Sequence, residues 1–227
     1  MAAAKEIIID VVSDAVCPWC FVGQKRLDKA VASLPDIDVG IRWRPFQLDP
    51  TIPPEGKDRK EYMRAKFGDG DRLRQVHANL EEIGRSEGIA FDFDAITVSP
   101  NTLDAHRLIR WAATSGEDVQ GRVARRLFQL YFEEGKNIGD HEVLVGAARE
   151  CDMDEAVVRT LLATDADRDA VRQEIDTVNR MGVSGVPCFL IEGRYAVMGA
   201  QGSDTLAEAI RKISEAKERG ELEDAAD

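Results

Sequence analysis

Two cysteines near the amino terminus have the spacing of a redox centre. Cys17 and Cys20 are separated by Pro18 and Trp19. At a strand-to-helix turn this spacing brings the two sulfurs within bonding distance, and the free N–H groups of the helix start stabilise a thiolate at Cys17. Such a thiolate attacks a disulfide to give a mixed disulfide, which the second cysteine resolves. We therefore predict that Cys17 faces solvent as the nucleophile and that Cys20 is the shielded resolving thiol.

Half of a zinc site is the main alternative for a C-x-x-C pair. Zinc requires a second cysteine pair, or histidines at compatible spacing. Cys151, Cys188, His77, His106 and His141 are all isolated in the sequence. We predict no metal and no cofactor, only a redox-active Cys17–Cys20 disulfide.

A second element, Gly182 to Pro187, comes directly before an apolar run. Proline at a strand entrance lacks the N–H needed for ladder pairing. A turn is therefore expected at Pro187 instead of a regular strand residue, and a cis bond before Pro187 is compatible with such a turn.

Hydrophobic patterns predict the elements that position these two segments. A β-branched run indicates a first strand, helical spacing follows Pro18 until Pro35, and period-two alternation predicts a second strand. A last helix with Ser203 as its cap follows two further strands. The predicted strands are Ile7–Val12, Ile37–Phe46, Cys188–Ile191 and Tyr195–Met198, and the last helix is Leu206–Ile213.

Between the second and third strands the pattern is helical. Ser99 and Asp140 are predicted helix caps, and the last helix of this segment is expected from about Arg168 to Arg180. Removing the segment leaves β-α-β followed by β-β-α. The predicted fold is therefore α/β, a thioredoxin fold with a large inserted all-helical domain, in which residues 1–50 and 182–227 form the thioredoxin-like domain and residues 51–181 the insertion.

Charge and composition exclude several classes of function. The formal net charge is −12, which disfavours nucleic acid as a partner. No apolar run is long enough to cross a bilayer, and the amino terminus lacks the pattern of a secretory signal. We expect a cytoplasmic protein without a membrane partner, ending in a frayed tail from Glu215.

Several segments together resemble the DsbA-like family of thioredoxin-fold oxidoreductases. The similarity is greatest to its cytosolic FrnE-type branch, which is related to 2-hydroxychromene-2-carboxylate isomerases and kappa-class glutathione transferases. It covers nearly the whole chain to about residue 215. The segments are Cys17–Cys20, Trp43–Phe46, Pro100–Arg107, Gly182–Pro187 and Tyr195–Gln201.

The resemblance implies roles for particular residues. Pro187 would be cis beside the cysteines, with Pro18 and Trp19 supporting the site, and the Val186 backbone would lie against the substrate chain. Asn101, His106 and Arg107 would come from the insertion's side of the cleft. For His106 a helix-face or packing role remains open beside a catalytic one.

Two functions remain after this comparison. The first is a thiol–disulfide oxidoreductase or isomerase acting on thiol or disulfide substrates, either protein or small molecule, with glutathione as a candidate co-substrate. The alternative is a glutathione-dependent isomerase or transferase that binds the γ-glutamyl end near Gln201, Ser203 and Asp204. The related isomerases typically carry serine where this chain has Cys17. The chain also departs from the family at Cys188, a third thiol next to Pro187, which strand alternation is expected to turn into the core.

Overall fold

A mixed four-stranded sheet lies at the centre of the computed structural model, which describes residues 6–68, 70–116 and 118–222. Its order is β2-β1-β5-β6, with β2 parallel and β5 antiparallel to β1. The strands along the chain are β1 Ile7–Ser13, β2 Val39–Pro45, β3 Lys57–Asp58, β4 Val98–Ser99, β5 Cys188–Ile191 and β6 Tyr195–Met198.

Nine helices occur within these described ranges. None of them is both long and apolar enough to span a membrane. They are α1 Pro18–Ala32, α2 Arg59–Phe67, α3 Asp71–Glu87, α4 Leu103–Ala112, α5 Val119–Phe132, α6 His141–Glu150, α7 Glu155–Leu162, α8 Arg168–Arg180 and α9 Ser203–Glu218.

The predicted thioredoxin fold with a helical insertion is confirmed. Helices α2 to α8 all lie between β2 and β5, and with them comes a two-stranded ladder that the sequence analysis missed, in which β3 pairs antiparallel with β4. One hydrophobic core joins the insertion to the sheet, since Phe21 of α1 stacks on Phe128 of α5 at 5.2 Å between ring centroids. The domain boundaries at residues 50/51 and 181/182 remain predictions.

Some predicted helix starts are correct and others are wrong. Pro18 is the first residue of α1, Asp140 caps α6, and α8 has the predicted bounds. Ser99 caps no helix, because its segment is drawn into the ladder with Lys57. The backbone N–H of Leu103 at the start of α4 instead donates to the Asn101 side chain, at 2.9 Å.

The carboxyl-terminal helix also differs from the prediction. Its N-cap is Gly202, and Ser203 is already helical. The helix continues past the predicted end to Glu218, because Lys217 donates to the Glu192 carboxylate and to the backbone carbonyl of Glu6. These contacts tie the last turns of α9 to the sheet, so the start of the predicted frayed tail, from Glu215 to Glu218, is helical. Residues 223–227 of that tail lie outside the described residues.

Arg107 lies inside the insertion, fully buried, rather than lining a cleft. Its guanidinium donates to the carbonyls of Leu161, Thr164 and Ala166, and pairs with Asp104 at 2.9 Å. The three carbonyls belong to the end of α7 and the turn after it, where backbone oxygens lack the usual helical donor. The Leu161 carbonyl also accepts from the backbone N–H and the hydroxyl of Thr164. Arg107 therefore joins α4 to the end of α7.

We expect Arg107→Leu to lower the free energy of unfolding by about 3 kcal/mol or more, because it removes the guanidinium that donates to the carbonyls of Thr164 and Ala166 and to Asp104 Oδ1 in a fully buried position. Urea unfolding measures the change. The control is Arg172→Leu, which removes an exposed pair with Asp169 and should change stability by less than about 0.5 kcal/mol. Equal effects of the two substitutions would contradict the structural role of Arg107.

Candidate functional site: the Cys17–Cys20 turn

The backbone places both cysteines at the start of α1. Cys17 is the N-cap residue, with extended backbone angles, and Pro18 occupies the first helical position, where its missing N–H costs no hydrogen bond. The backbone N–H groups of Cys20 and Phe21 donate to the Cys17 carbonyl at 3.0 and 3.4 Å. No side chain caps this helix start, so the partial positive charge of the helix acts on the Cys17 sulfur.

The turn before β5 lies against Cys17. The Val186–Pro187 bond is cis, as the sequence analysis expected. The Cys17 thiol points toward the Val186 carbonyl, with Sγ 3.8 Å from the oxygen. The structure therefore brings Cys17, Val186 and Pro187 together although 169 positions separate the first two.

Cys17 does not face solvent as predicted. It is 5% exposed, and Cys20 is 2% exposed. The difference arises because the Val186–Pro187 turn packs over the start of the helix, a contact between distant parts of the chain. Both sulfurs are free thiols in this structure.

The two thiols are nonetheless electrostatically different. Burial raises the pKa of the Cys20 thiol well above its usual value, and the hydrogen bond and charge of Cys17 raise that pKa further. The Ser13 side chain and the backbone at Asp14 oppose this shift but do not reverse it. Cys20 therefore keeps its proton, while Cys17 has the position at the helix start that suits a thiolate.

Gly23, which the sequence analysis did not single out, allows the turn to approach. A Cβ at this position would lie 2.9 Å from Pro187 Cγ and 3.2 Å from Phe189 Cζ. Any larger residue would push the turn away from α1. Its sequence signal is a glycine inside a helix, where alanine would be favoured by about 1 kcal/mol.

Asp14 is a second residue that sequence reasoning missed. Its carboxylate is buried, and one oxygen accepts a hydrogen bond from the Leu48 N–H at 2.8 Å. The other oxygen lies 3.6 Å from His106 Nε2, which in turn is 2.9 Å from the Phe46 carbonyl. Asp14 and His106 thus hold the chain after β2 against the Cys17–Cys20 turn. An acidic residue between a buried strand and the cysteine pair was the available signal.

The two insertion residues proposed for substrate binding are engaged in the fold. His106 is 3% exposed, which fits the packing role left open for it. Asn101 donates to the Ile52 carbonyl, and its side-chain oxygen accepts from Leu103 and Gln47. A role for either side chain in substrate binding remains a prediction.

The other predicted residues differ in exposure. Trp19 is 37% exposed beside the buried cysteines. Cys188 is fully buried, in a small cluster with Val12 and Val183, as strand alternation predicted. Cys151 is also buried, at the end of α6.

Comparison with known proteins decides the family. The model of the DSBA-like thioredoxin domain matches residues 8–211. The chain belongs to the DsbA-like family. A protein of Bacillus subtilis strain 168, the uncharacterised YwbO, is 29% identical over 209 residues, which is 89% of this chain and 94% of that protein.

Two solved structures place the DsbA-like chain among its relatives. A probable DsbA oxidoreductase from Streptomyces coelicolor superposes with a TM-score of 0.84 at 28% identity, covering 97% of this chain and 93% of the other. The cytosolic disulfide reductase DsbM from Pseudomonas aeruginosa, solved with glutathione, has a TM-score of 0.60 at 19% identity over 93% and 99%. At 19% identity, the similarity to DsbM shows a shared fold and no more.

The pKa of Cys20 predicts a pH dependence of stability in the reduced protein. The thiol is expected to ionise near its ordinary pKa of 9.0 in the unfolded chain and only at higher pH in the folded one. Above about pH 9 the folded state binds more protons, so the free energy of unfolding falls as pH rises, by up to about 1.4 kcal/mol per pH unit. Below about pH 9 the stability that the protonated Cys20 thiol contributes is fully retained.

Urea unfolding of reduced wild type and Cys20→Ala between about pH 7 and pH 11 measures this contribution. The wild-type curve should fall more steeply above about pH 9, and the two should run parallel below it. Parallel curves over the whole range would show that the Cys20 pKa is not raised.

Proposed function

We propose that the chain is a thiol–disulfide oxidoreductase or isomerase that uses the Cys17–Pro18–Trp19–Cys20 centre through a mixed disulfide. The observation that carries this proposal is the asymmetric pair. Cys17 lies at the uncapped start of α1 against the Val186 carbonyl, whereas Cys20 lies within the helix with a raised thiol pKa. Membership of the DsbA-like family supports it.

The chemistry follows from this asymmetry. The Cys17 thiolate attacks one sulfur of a substrate disulfide, the substrate S–S bond breaks, and the other substrate sulfur leaves as a thiolate. Cys20 then loses its proton and attacks Cys17 Sγ, so that the bond between Cys17 and the substrate breaks, the second substrate sulfur leaves as a thiolate, and the Cys17–Cys20 disulfide forms. Two electrons have moved from the protein to the substrate. The reverse sequence oxidises a substrate dithiol.

Access to Cys17 suits an extended or small substrate. Because Cys17 is 5% exposed, a substrate sulfur must enter between the start of α1 and the Val186–Pro187 turn. A substrate chain there would lie beside the Val186 backbone, as an added strand does. Two exposed apolar side chains are close in position to this gap: Trp19 lies two residues after Cys17, and Met198 pairs with Cys188 next to Pro187.

Glutathione is the co-substrate we propose, and the cytoplasm is the compartment. In a reducing cytosol, glutathione would regenerate the dithiol form by the same exchange chemistry. Structural likeness to a cytosolic disulfide reductase solved with glutathione agrees with both proposals at the level of the fold.

A glutathione-dependent isomerase or transferase remains the second candidate. The start of α9 has no side-chain cap, because Ser203 is helical and the N-cap is Gly202. Its first N–H groups are therefore available to a carboxylate near Gln201 and Asp204. Insulin reduction and glutathione conjugation, assayed on one purified sample, separate the two functions.

Single-cysteine substitutions test the order of attack. In Cys20→Ser the first attack proceeds and resolution cannot, so oxidised glutathione should leave one glutathione on Cys17, removable by reductant. Cys17→Ser should carry almost none, because Cys20 keeps its proton at neutral pH. Intact-mass spectrometry with peptide mapping measures both adducts.

Cys151→Ser is the matched control, since it removes another buried thiol and should turn over like wild type. Circular dichroism checks that each variant is folded. Equal adducts on the Cys17 and Cys20 variants would contradict the assigned order. Adducts that map to Cys188 in both would add a third thiol to the redox centre.

A further inference from the structure

The first part of the helical insertion is basic, although the protein as a whole is acidic. Residues 57–77, which we call the α2–α3 arm, comprise β3, α2 and the first turns of α3. The arm has seven lysine and arginine residues against four aspartate and glutamate residues, a net charge of +3, whereas the whole chain carries −12. A local reversal of charge attracts negatively charged partners to that part of the surface.

Several positive charges of the arm are not neutralised by the protein itself. Lys60, Arg64 and Arg72 are exposed, and none of them forms an ion pair with any residue that the structure describes. Arg74, in contrast, pairs with Asp71. Lys60 and Arg64 are four positions apart on α2, so their side chains lie on one face of the helix. This face therefore presents two free cations to solvent.

Exposed apolar side chains accompany these cations. Phe67, one turn after Arg64, is 51% exposed, and Val76, one turn after Arg72, is 45% exposed. No residue of α2 is buried, so packing into the core does not account for its apolar side chains. Apolar groups beside free charges match the composition of a protein-binding surface, in which an apolar centre is surrounded by polar groups.

A series of hydrogen bonds connects the arm to Cys17. The Tyr62 hydroxyl on α2 donates to Asp49 Oδ2 at 2.9 Å. The backbone N–H of the adjacent Leu48 donates to Asp14 Oδ2 at 2.8 Å, and the Cys17 N–H donates to the Asp14 carbonyl at 3.0 Å. Leu48 is itself 43% exposed, so apolar surface continues between the arm and the Cys17–Cys20 turn.

The direction of α3 agrees with this position. Glu87, in the last turn of α3, pairs with Arg26 in the second half of α1 at 2.7 Å. One turn earlier, Gly84 lies against the Phe91 ring, which packs on Phe21 near the start of α1. The two helices therefore run in the same general direction, and the first turns of α3 lie toward the cysteine end of α1.

We propose that the α2–α3 arm docks acidic segments of protein substrates and thereby favours, at Cys17, disulfides flanked by acidic and apolar residues. This inference rests on the proposed function. A substrate whose sulfur reacts at Cys17 has its neighbouring residues within reach of the arm, because Tyr62 is joined to the turn by the hydrogen bonds described above.

The dimensions and charge of the surface favour a polypeptide over other anions. The nine residues of α2 alone extend about 13 Å, and Arg72 lies on the next helix, so the free charges are spread too widely for one small anion. Nucleic acid and anionic membranes present negative charge over a larger area, where the acidic remainder of the chain would repel them.

Binding is measured first, with reduced wild-type protein and cysteine-free, fluorescein-labelled peptides. Three peptides share alternating leucines and carry glutamate, glutamine or lysine at every other position. Fluorescence anisotropy should show that the glutamate peptide binds about tenfold more tightly than the glutamine peptide, and that the lysine peptide binds most weakly. About 0.5 M sodium chloride should remove most of this preference, because salt screens exposed charges.

Charge removal on α2 tests the assigned surface. Lys60→Gln combined with Arg64→Gln should weaken binding of the glutamate peptide roughly threefold or more. The matched control combines Arg85→Gln with Lys212→Gln, which removes two exposed charges at the other end of α3 and on α9. The control should bind the glutamate peptide as wild type does. Glutamine is a good helix former, so both variants should keep their helices.

Selectivity at Cys17 is measured with the same peptides carrying one cysteine as a mixed disulfide with thionitrobenzoate. Cys17 bonds to the peptide sulfur, and thionitrobenzoate leaves as a coloured thiolate. The second-order rate constant for the glutamate peptide should exceed that for the glutamine peptide by about tenfold in wild type and in the control. In the α2 variant this ratio should fall to about threefold or less.

Several outcomes would overturn the docking role of the arm. They are equal binding of the three peptides, an equal loss in the control variant, and tighter binding through Lys60 and Arg64 to phosphatidylserine vesicles or to a single-stranded oligonucleotide than to the glutamate peptide. Failure of the proposed function has a different signature, since wild type would then bind the glutamate peptide selectively but release no thionitrobenzoate from any peptide. Release at equal rates without selective binding would contradict this inference alone.

Discussion

The contact between the start of α1 and the Val186–Pro187 turn is the constraint on which the site depends. It buries Cys17 with its sulfur 3.8 Å from the Val186 carbonyl. It requires glycine at position 23, where a Cβ would lie 2.9 Å from Pro187. In the proposed mechanism, Cys17 would meet only substrates that enter the same narrow gap, so one contact would set both the orientation and the selectivity of the nucleophile.

The helical insertion supports that contact from the other side. Phe128 of α5 stacks on Phe21 of α1, and His106 of α4 hydrogen-bonds the Phe46 carbonyl next to buried Asp14. Large aromatic side chains contribute much of the burial energy in such a core. The insertion therefore supports the Cys17–Cys20 turn from its inner side and is not only a cover over it.

The sequence predicted the elements better than it predicted their contacts. Short apolar runs beside turn residues, and helical spacing, placed β5, β6 and α8 at their observed bounds, because those signals are local. Ser203 failed as a cap because Gly202, one residue earlier, also fits that position. The burial of Cys17 depends on residues far along the chain, so no local pattern could reveal it. For Gly23 the local signal was a glycine inside a helix, which does not show that Pro187 packs against it.

The central claim is that Cys17 and Cys20 are chemically unequal, and competitive alkylation tests it most directly. Reduced wild-type protein is treated with limiting iodoacetamide at about pH 7, and the modified cysteines are mapped by mass spectrometry. The thiolate is the reacting form, so Cys17 should be modified first while Cys20, whose thiol pKa is raised, remains unmodified. Equal modification of the two, or faster modification of Cys20, would contradict the account.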